Sequence, residues 1–267
     1  MWQITFRELK DRKWSLLAYC LGSLLLLWIY AATFKSSQAS AQQLLEVVKG
    51  YPKGFLDAFG LNNLASNSIE VYLNAKHFSF IWPLLAIILA LSRAGSQFAG
   101  EIQAGTMGLL LALPLKRWQI FIAKYATGLL TIVVFTLISV FGIIPLASAY
   151  DIPTHFHVLV GAWVLTTLFM GTVYAVSVVV SAWVSDKGRV YAIVSAVLML
   201  TYVANIIALL DDKLSGLKYY SLFYYFNTAE VLDTGHITTR SLAVFGLTIV
   251  IATVVAAWRF SRRDISV

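Results

Sequence analysis

Residues 100–124 read "GEIQAGTMGLLLALPLKRWQIFIAK". The stretch holds a carboxylate, a Gly-Thr pair, an unbroken apolar run, and then Pro114, Lys116 and Arg117. The run from Met107 to Leu113 is too short to cross a bilayer, which takes about 20 predominantly apolar residues. A segment of spanning length follows it almost at once. Leu109, Leu110 and Leu113 make one apolar face, Pro114 stops it, and the Lys116-Arg117 pair marks a return to the membrane. This pattern predicts a short helix pressed against a membrane surface between two spans, with its polar end exposed to whatever lies beyond.

The composition around it agrees. The chain has 267 residues, 59% of them hydrophobic and 12% charged, against about 25% charged in soluble domains. No polar stretch is long enough to fold around a core of its own, so the chain reads as one integral membrane domain. The single cysteine, Cys20, falls in the first apolar segment and reads as a small packing residue.

Six segments are candidates for crossing: residues 14–33, a second beginning near residue 78 and interrupted by Arg93, then 125–150, 158–185, 190–210 and 241–258. Six is even, so both termini share a side. One set of span ends carries Arg7, Lys10, Arg12, Lys13, Arg93, Lys116, Arg117, Lys124, Lys187, Arg189, Arg259, Arg262 and Arg263. The other carries Lys35, Lys49, Lys53, Lys76, Lys213, Lys218 and Arg240. Thirteen against seven, with the thirteen in short segments, predicts cytoplasmic termini. The net charge of +7 is thus distributed by membrane side and is not a nucleic-acid signal.

No cleavable signal peptide is expected, because the first apolar segment is of full spanning length with no small-x-small site after it. Before it, Trp2, Phe6 and Leu9 share a face and Arg7, Lys10 and Arg12 lie elsewhere, which predicts an interfacial helix over residues 1–13. Residues 36–76 form a polar excursion on the outer side, broken by Gly50 and Pro52 into two helical pieces. Residues 213–238, crowded with Tyr and Phe, suggest a re-entrant or interfacial hairpin at headgroup level.

Enzyme chemistry is thinly supported. The chain has no G-x-x-x-x-G-K-[ST], no H-E-x-x-H and no G-x-S-x-G, and its spans are almost free of ionisable groups. His155 and His157, with Asp151 nearby, are too few and too closely spaced to argue for a metal centre. Asn205, near Thr201 and Tyr202, is the most conspicuous polar group in a span. It reads first as hydrogen-bonding glue between helices and second, together with Tyr202, as part of a substrate pathway.

The opening stretch resembles the E-x-E-x-G-T-x-E-x-L-L-x-x-P-x-S-R signature of ABC-2-type exporter permeases. Glu101, Gly105, Thr106, Leu110, Leu111, Pro114 and Arg117 match it, and Lys124 stands where that family commonly has a lysine. Gln103 and Gly108 replace two acids of the pattern and Lys116 replaces a serine. "SLFYYFNTAEVLDTG", residues 221–235, is similar to the aromatic segment before the last span in the same family.

The resemblance implies an all-α domain of six transmembrane helices over residues 1–267, with a coupling helix at 100–117 and a re-entrant outer segment at 213–238. It implies two permease copies, or two related chains, docked on two separate ATPase subunits that bind ATP and Mg. Glu101, Gly105, Thr106, Pro114 and Arg117 would then serve ATPase coupling, with Glu101 and the Gly105-Thr106 turn facing that subunit and the leucines facing the membrane domain. The cargo implied is amphiphilic (a drug, antimicrobial peptide, lipid or glycan), exported across the plasma or inner membrane. No catalytic, cofactor-binding or metal residue is expected in this chain. A membrane enzyme or a non-transporting assembly factor on the same scaffold is the competing class.

Overall fold

The computed structural model of the chain describes residues 2–48 and 68–263, and these are all-helical apart from turns and connecting segments. Among the described residues, five helices are long and apolar enough to cross a membrane, and a bent pair makes a sixth candidate.

The first helix, α1, runs without a break from Trp2–Val48. A separate interfacial helix over residues 1–13 is therefore not what forms: nothing between Trp2 and Gly22 is a helix breaker, and the basic N-terminal turns continue straight into the apolar ones. At its far end α1 outruns the expected boundary and carries the first part of the 36–76 excursion. Gly50 and Pro52 lie outside the described residues.

The second candidate crossing, the bent pair, starts earlier than hydropathy suggests. α2 (Ile69–Leu73) continues through a π-helical turn (Asn74–Phe78) into α3 (Ile81–Gln97), with a 55° bend between the two halves. Pro83 sits in the first turn of α3, where its missing N–H is tolerated, so a new helix begins there rather than continuing the old one. The buried polar groups of the first half (Glu70, Asn74 and His77) mask it from an apolarity reading.

The connecting segment at 100–117 is not one helix. It folds as α4 (Ala99–Gln103) and α5 (Thr106–Leu111), parted by Gly105 in the left-handed region at φ 72°. After α5 come the exposed Pro114 and then α6 (Arg117–Phe141), which Gly142 separates from the short α7 (Ile143–Ser148). The remaining long helices are α8 (Phe156–Trp183), α9 (Lys187–Leu210) and α12 (Thr239–Arg262). Between the last two lie a 3-10 segment (Asp212–Tyr220), α10 (Leu222–Tyr225) and α11 (Thr228–Thr234).

α8 is the centre of the body, packed against α3, α6, α9, α11 and α12. Its sequence suits that place, since Gly161, Ala162, Gly171, Ala175 and Ser181 let neighbouring backbones approach. Its buried hydroxyls bond back along the helix, Thr166 to the Ala162 carbonyl and Thr172 to that of Leu168, each at 2.8 Å. α1 lies on the flank against α6 and α7.

The two ends of the bundle follow from contacts. Tyr30 with Lys76, Asn74 with Thr228, and Ser241 with Tyr225 meet at one end. Glu8, Gln97, Lys124, Ser185 and Arg263 cluster at the other, which also holds the start of α1 and the end of α12. At the first end the aromatic segment packs inward. The Phe226 ring stacks on Trp82 at 5.8 Å and meets Phe169 at 4.3 Å, and Trp82 Nε1 donates to Ser139 at 2.9 Å.

Candidate functional site

At the termini end five elements converge on one buried amine. Lys124 lies well inside α6 with its side chain wholly enclosed. A buried ammonium needs counter-charge, and two carboxylates supply it: Glu8 from α1 and Glu101 from α4, the latter at 2.6 Å. Gln97, the last residue of α3, donates from Nε2 to Glu8 at 2.9 Å and to the Lys124 carbonyl at 3.2 Å. Its Oε1 accepts from the Tyr174 hydroxyl of α8 at 2.8 Å. Thr127 Oγ1 stands 3.2 Å from the second oxygen of Glu8.

Gly128, one turn beyond Lys124, makes the arrangement possible. A Cβ there would collide with the Tyr174 ring, so only glycine lets α6 and α8 close enough to place that hydroxyl under Gln97. Burial pushes the Glu101 carboxyl above its ordinary pKa, and the adjacent Lys124 ammonium pulls against that shift. Its Oε2 is enclosed without a hydrogen-bond partner among the described residues. The cluster is thus a tight, charged joint between α1, α3, α4, α6 and α8.

A second joint closes the same end. Arg263, just past α12, donates from Nη1 to the carbonyls of Ala182 at 2.9 Å and Val184 at 3.2 Å, and from Nη2 to the Ser185 hydroxyl. These are carbonyls left free where α8 ends, so the guanidinium caps that helix. The Arg117 guanidinium donates in turn to the Arg263 carbonyl, fastening the start of α6 to the end of α12. Burial, with Arg259 nearby, lowers the Arg263 pKa from its usual value.

The residues expected to serve coupling are therefore divided. Gly105, Thr106 and Pro114 are exposed at the tip of the connecting segment. Arg117 works within the body, on Arg263. Glu101, expected to face outward, turns in to Lys124, because a buried amine attracts the nearest carboxylate more strongly than water does. The leucines are divided too: Leu110 and Leu111 pack inward beside Met107, while Leu109, 75% exposed, and Leu113 face outward.

Glu8, Gln97, Thr127 and Tyr174 were not singled out by sequence reasoning. The available signal was Glu8, an acid lying among Arg7, Lys10, Arg12 and Lys13.

Elsewhere, Tyr202 meets the Phe223 ring edge-on at 5.0 Å, and the Asn205 Oδ1 is buried with no partner among the described residues. His155 is occupied with Glu70, a wholly buried carboxylate on α2 that accepts its backbone N–H at 2.6 Å and lies 3.3 Å from its Nδ1.

A protein-family model described as "ABC-2 family transporter protein" matches residues 2–265, nearly the whole chain. No curated protein matches it.

Proposed function

The chain belongs to the ABC-2 family of transporter proteins, and from that membership we propose that it is the permease subunit of an ATP-driven exporter of amphiphilic molecules. As a member of this family it is a multi-pass membrane component of an ABC transporter and not itself an enzyme. Beyond that, in our reading, two separate ATPase subunits bind ATP and Mg and dock at the termini end. A second copy, or a related permease chain, completes the pathway. The excess of Lys and Arg at the termini end supports a cytoplasmic location for that end, in the plasma or inner membrane.

The observation that carries the mechanism is the connecting segment of α4 and α5. Its tip is exposed, at Gln103, Ala104, Gly105 and Thr106. Its root is bound through Glu101 to Lys124, and through that amine to Glu8 on α1. Force applied at the tip by a docked subunit reaches two long helices through charge-assisted hydrogen bonds rather than through loose loop. The geometry suits a lever whose short arm lies outside the membrane.

The test is Gly105→Trp in the co-expressed complex. A Cβ at Gly105 meets nothing within 4 Å, so the indole projects outward against a partner, and Gly105→Ala, which carries the same backbone strain at φ 72° without the bulk, is the control. The expected result is normal membrane level with loss of both ATPase recovery and transport. Full recovery and full transport would remove the segment from the coupling role. Purified chain alone should hydrolyse no ATP. Impermeant thiol labelling in intact cells, with Cys20→Ala as background, should modify Ser40→Cys but not Ser266→Cys.

A further inference from the structure

Arg93 lies one turn before Gln97 on α3 and is only 3% exposed. Its Nε and Nη2 are enclosed and have no hydrogen-bond partner among the described residues. A guanidinium cannot escape its charge by losing a proton as a buried lysine does, and left unpaired in the interior it is strongly destabilising.

The groups facing it do not relieve this. Arg12 and Glu8 act on it from α1 and Tyr174 from α8. Arg12 repels it. Glu8 attracts it, but one Glu8 oxygen is held by Lys124, and the other accepts from Gln97 beside Thr127. Glu101 gives one oxygen to Lys124, and it is not one of the groups that act on Arg93. Three cations (Arg93, Arg12 and Lys124) therefore face two carboxylates (Glu8 and Glu101), and the surplus charge coincides with the free donors.

The complement of free guanidinium donors is a tetrahedral or planar oxyanion. Arg93 stands one turn before the end of α3, a candidate crossing helix, and the end of such a helix is where a bilayer presents its phosphates. The adjoining turns of α1 add Lys10 and Lys13, with Arg7 paired to Asp11 at 3.8 Å, a basic run of the kind that draws anionic headgroups. We propose that Arg93, assisted by Arg12, receives the phosphate of an anionic phospholipid from the leaflet at the termini end. The lipid supplies the missing counter-charge and fixes α1 against α3. This site does not depend on the direction of transport or on the cargo.

The experiment uses the full-length chain, purified and stripped of lipid in detergent. Its thermal unfolding midpoint is followed against phosphatidylglycerol, phosphatidylcholine and inorganic phosphate, and retained lipid is counted by native mass spectrometry. Phosphatidylglycerol should raise the midpoint by several degrees and stay bound, while phosphatidylcholine and inorganic phosphate do neither. Arg93→Gln should lose the rise and at least tenfold in lipid retention, with Arg93→Lys intermediate.

Without lipid, Arg93→Gln should unfold no earlier than the wild type, because it removes an uncompensated charge. An earlier midpoint for Arg93→Gln in lipid-free detergent would show Arg93 to be paired inside the protein and would overturn the proposal. So would the same phosphatidylglycerol response in wild type and Arg93→Gln, or no response in either. An equal response to phosphatidylcholine, or to inorganic phosphate, would remove the anionic lipid as the ligand.

Discussion

Lys124 Nζ and Glu101 Oε1 stand 2.6 Å apart, joining the short connecting segment to the third crossing helix across a gap of 23 residues in sequence. The amine makes the same kind of bond to Glu8 on the first helix. One lysine thus ties together two parts of the chain that are far apart in sequence, beside the bond from Gln97 to Glu8. Its removal has a definite expected cost.

Lys124→Ala leaves two carboxylates close together without their cation, and breaking a buried ion pair from one side costs about 3–5 kcal/mol. The variant should unfold at markedly lower temperature in detergent. Adding Glu101→Gln to it should recover part of the loss, because one stranded charge is then removed. A double-mutant cycle on the two positions measures the coupling, and additive effects would show that the pair does not act as a unit.

The raised Glu101 pKa sets a pH dependence whose sign follows from linkage. Desolvation favours its neutral form, opposed by Lys124, so the folded chain holds a proton at this site more firmly than the unfolded chain does. Stability contributed here is therefore present at low pH. It is lost as pH rises from the ordinary value of 4.5 through the raised folded value. Infrared titration of the carboxyl band should place its midpoint above 4.5, and Lys124→Met should move it further up. Glu101→Gln should flatten the stability profile over that window.

Gly105 adopts φ 72° in open surroundings, so a side chain there meets only the backbone penalty. That penalty is roughly 1–2 kcal/mol for an ordinary L-residue in the left-handed region and smaller for Asn. Gly105→Ala and Gly105→Val should loosen the turn between α4 and α5 progressively, with Gly105→Asn nearest to wild type. Hydrogen exchange of the 99–111 amides gives the ranking directly. If Asn were as disruptive as Val, the backbone explanation would be wrong.

Arg263→Ala strands the carbonyls of Ala182 and Val184 and the Ser185 hydroxyl. Leaving such groups without a partner costs about 1–3 kcal/mol. Exchange should rise at 182–186 and at the last turn of α12, with the opposite end of the bundle unchanged. Arg263→Lys restores the charge but not the forked geometry and should rescue little.

Most of the crossing helices were legible because a bilayer imposes long apolar runs, and α8, α9 and α12 fall within a few residues of the expected bounds. The errors came from polar atoms that the fold hides in pairs. α6 was expected to start at 125 because Lys124 interrupts the apolar run, yet that lysine is neutralised by Glu8, 116 positions away. The first half of the second crossing was missed because Glu70 and Asn74 look like surface residues. One is sealed against the His155 backbone and the other against Thr228.

The connecting segment was legible as an amphipathic element, since Pro114 and the leucines announce it. Its break at Gly105 was legible only in part: the Gly105-Thr106 pair reads as a turn, yet one helix was expected over 100–117, where two form. The inward turn of Glu101 was not, because no local spacing reports a buried amine contributed by another helix.

The crossing helices share very unequally in the interior. Of the apolar window in α8, 67% is buried, against 28% in α1, 22% in α12 and 17% in α9, and of these three α12 is pinned to the end of α8 by Arg263. A machine with that distribution has a stator and two vanes. Swinging α8 would break packing with most of the body at once, whereas most of the α1 and α9 windows lie outside this interior and can shift without breaking it. Conformational cycling is then expected to register as displacement of α1 and α9 relative to a still α8. The thickness and fluidity of the surrounding bilayer, which resist the sweep of exposed helices, become part of the rate.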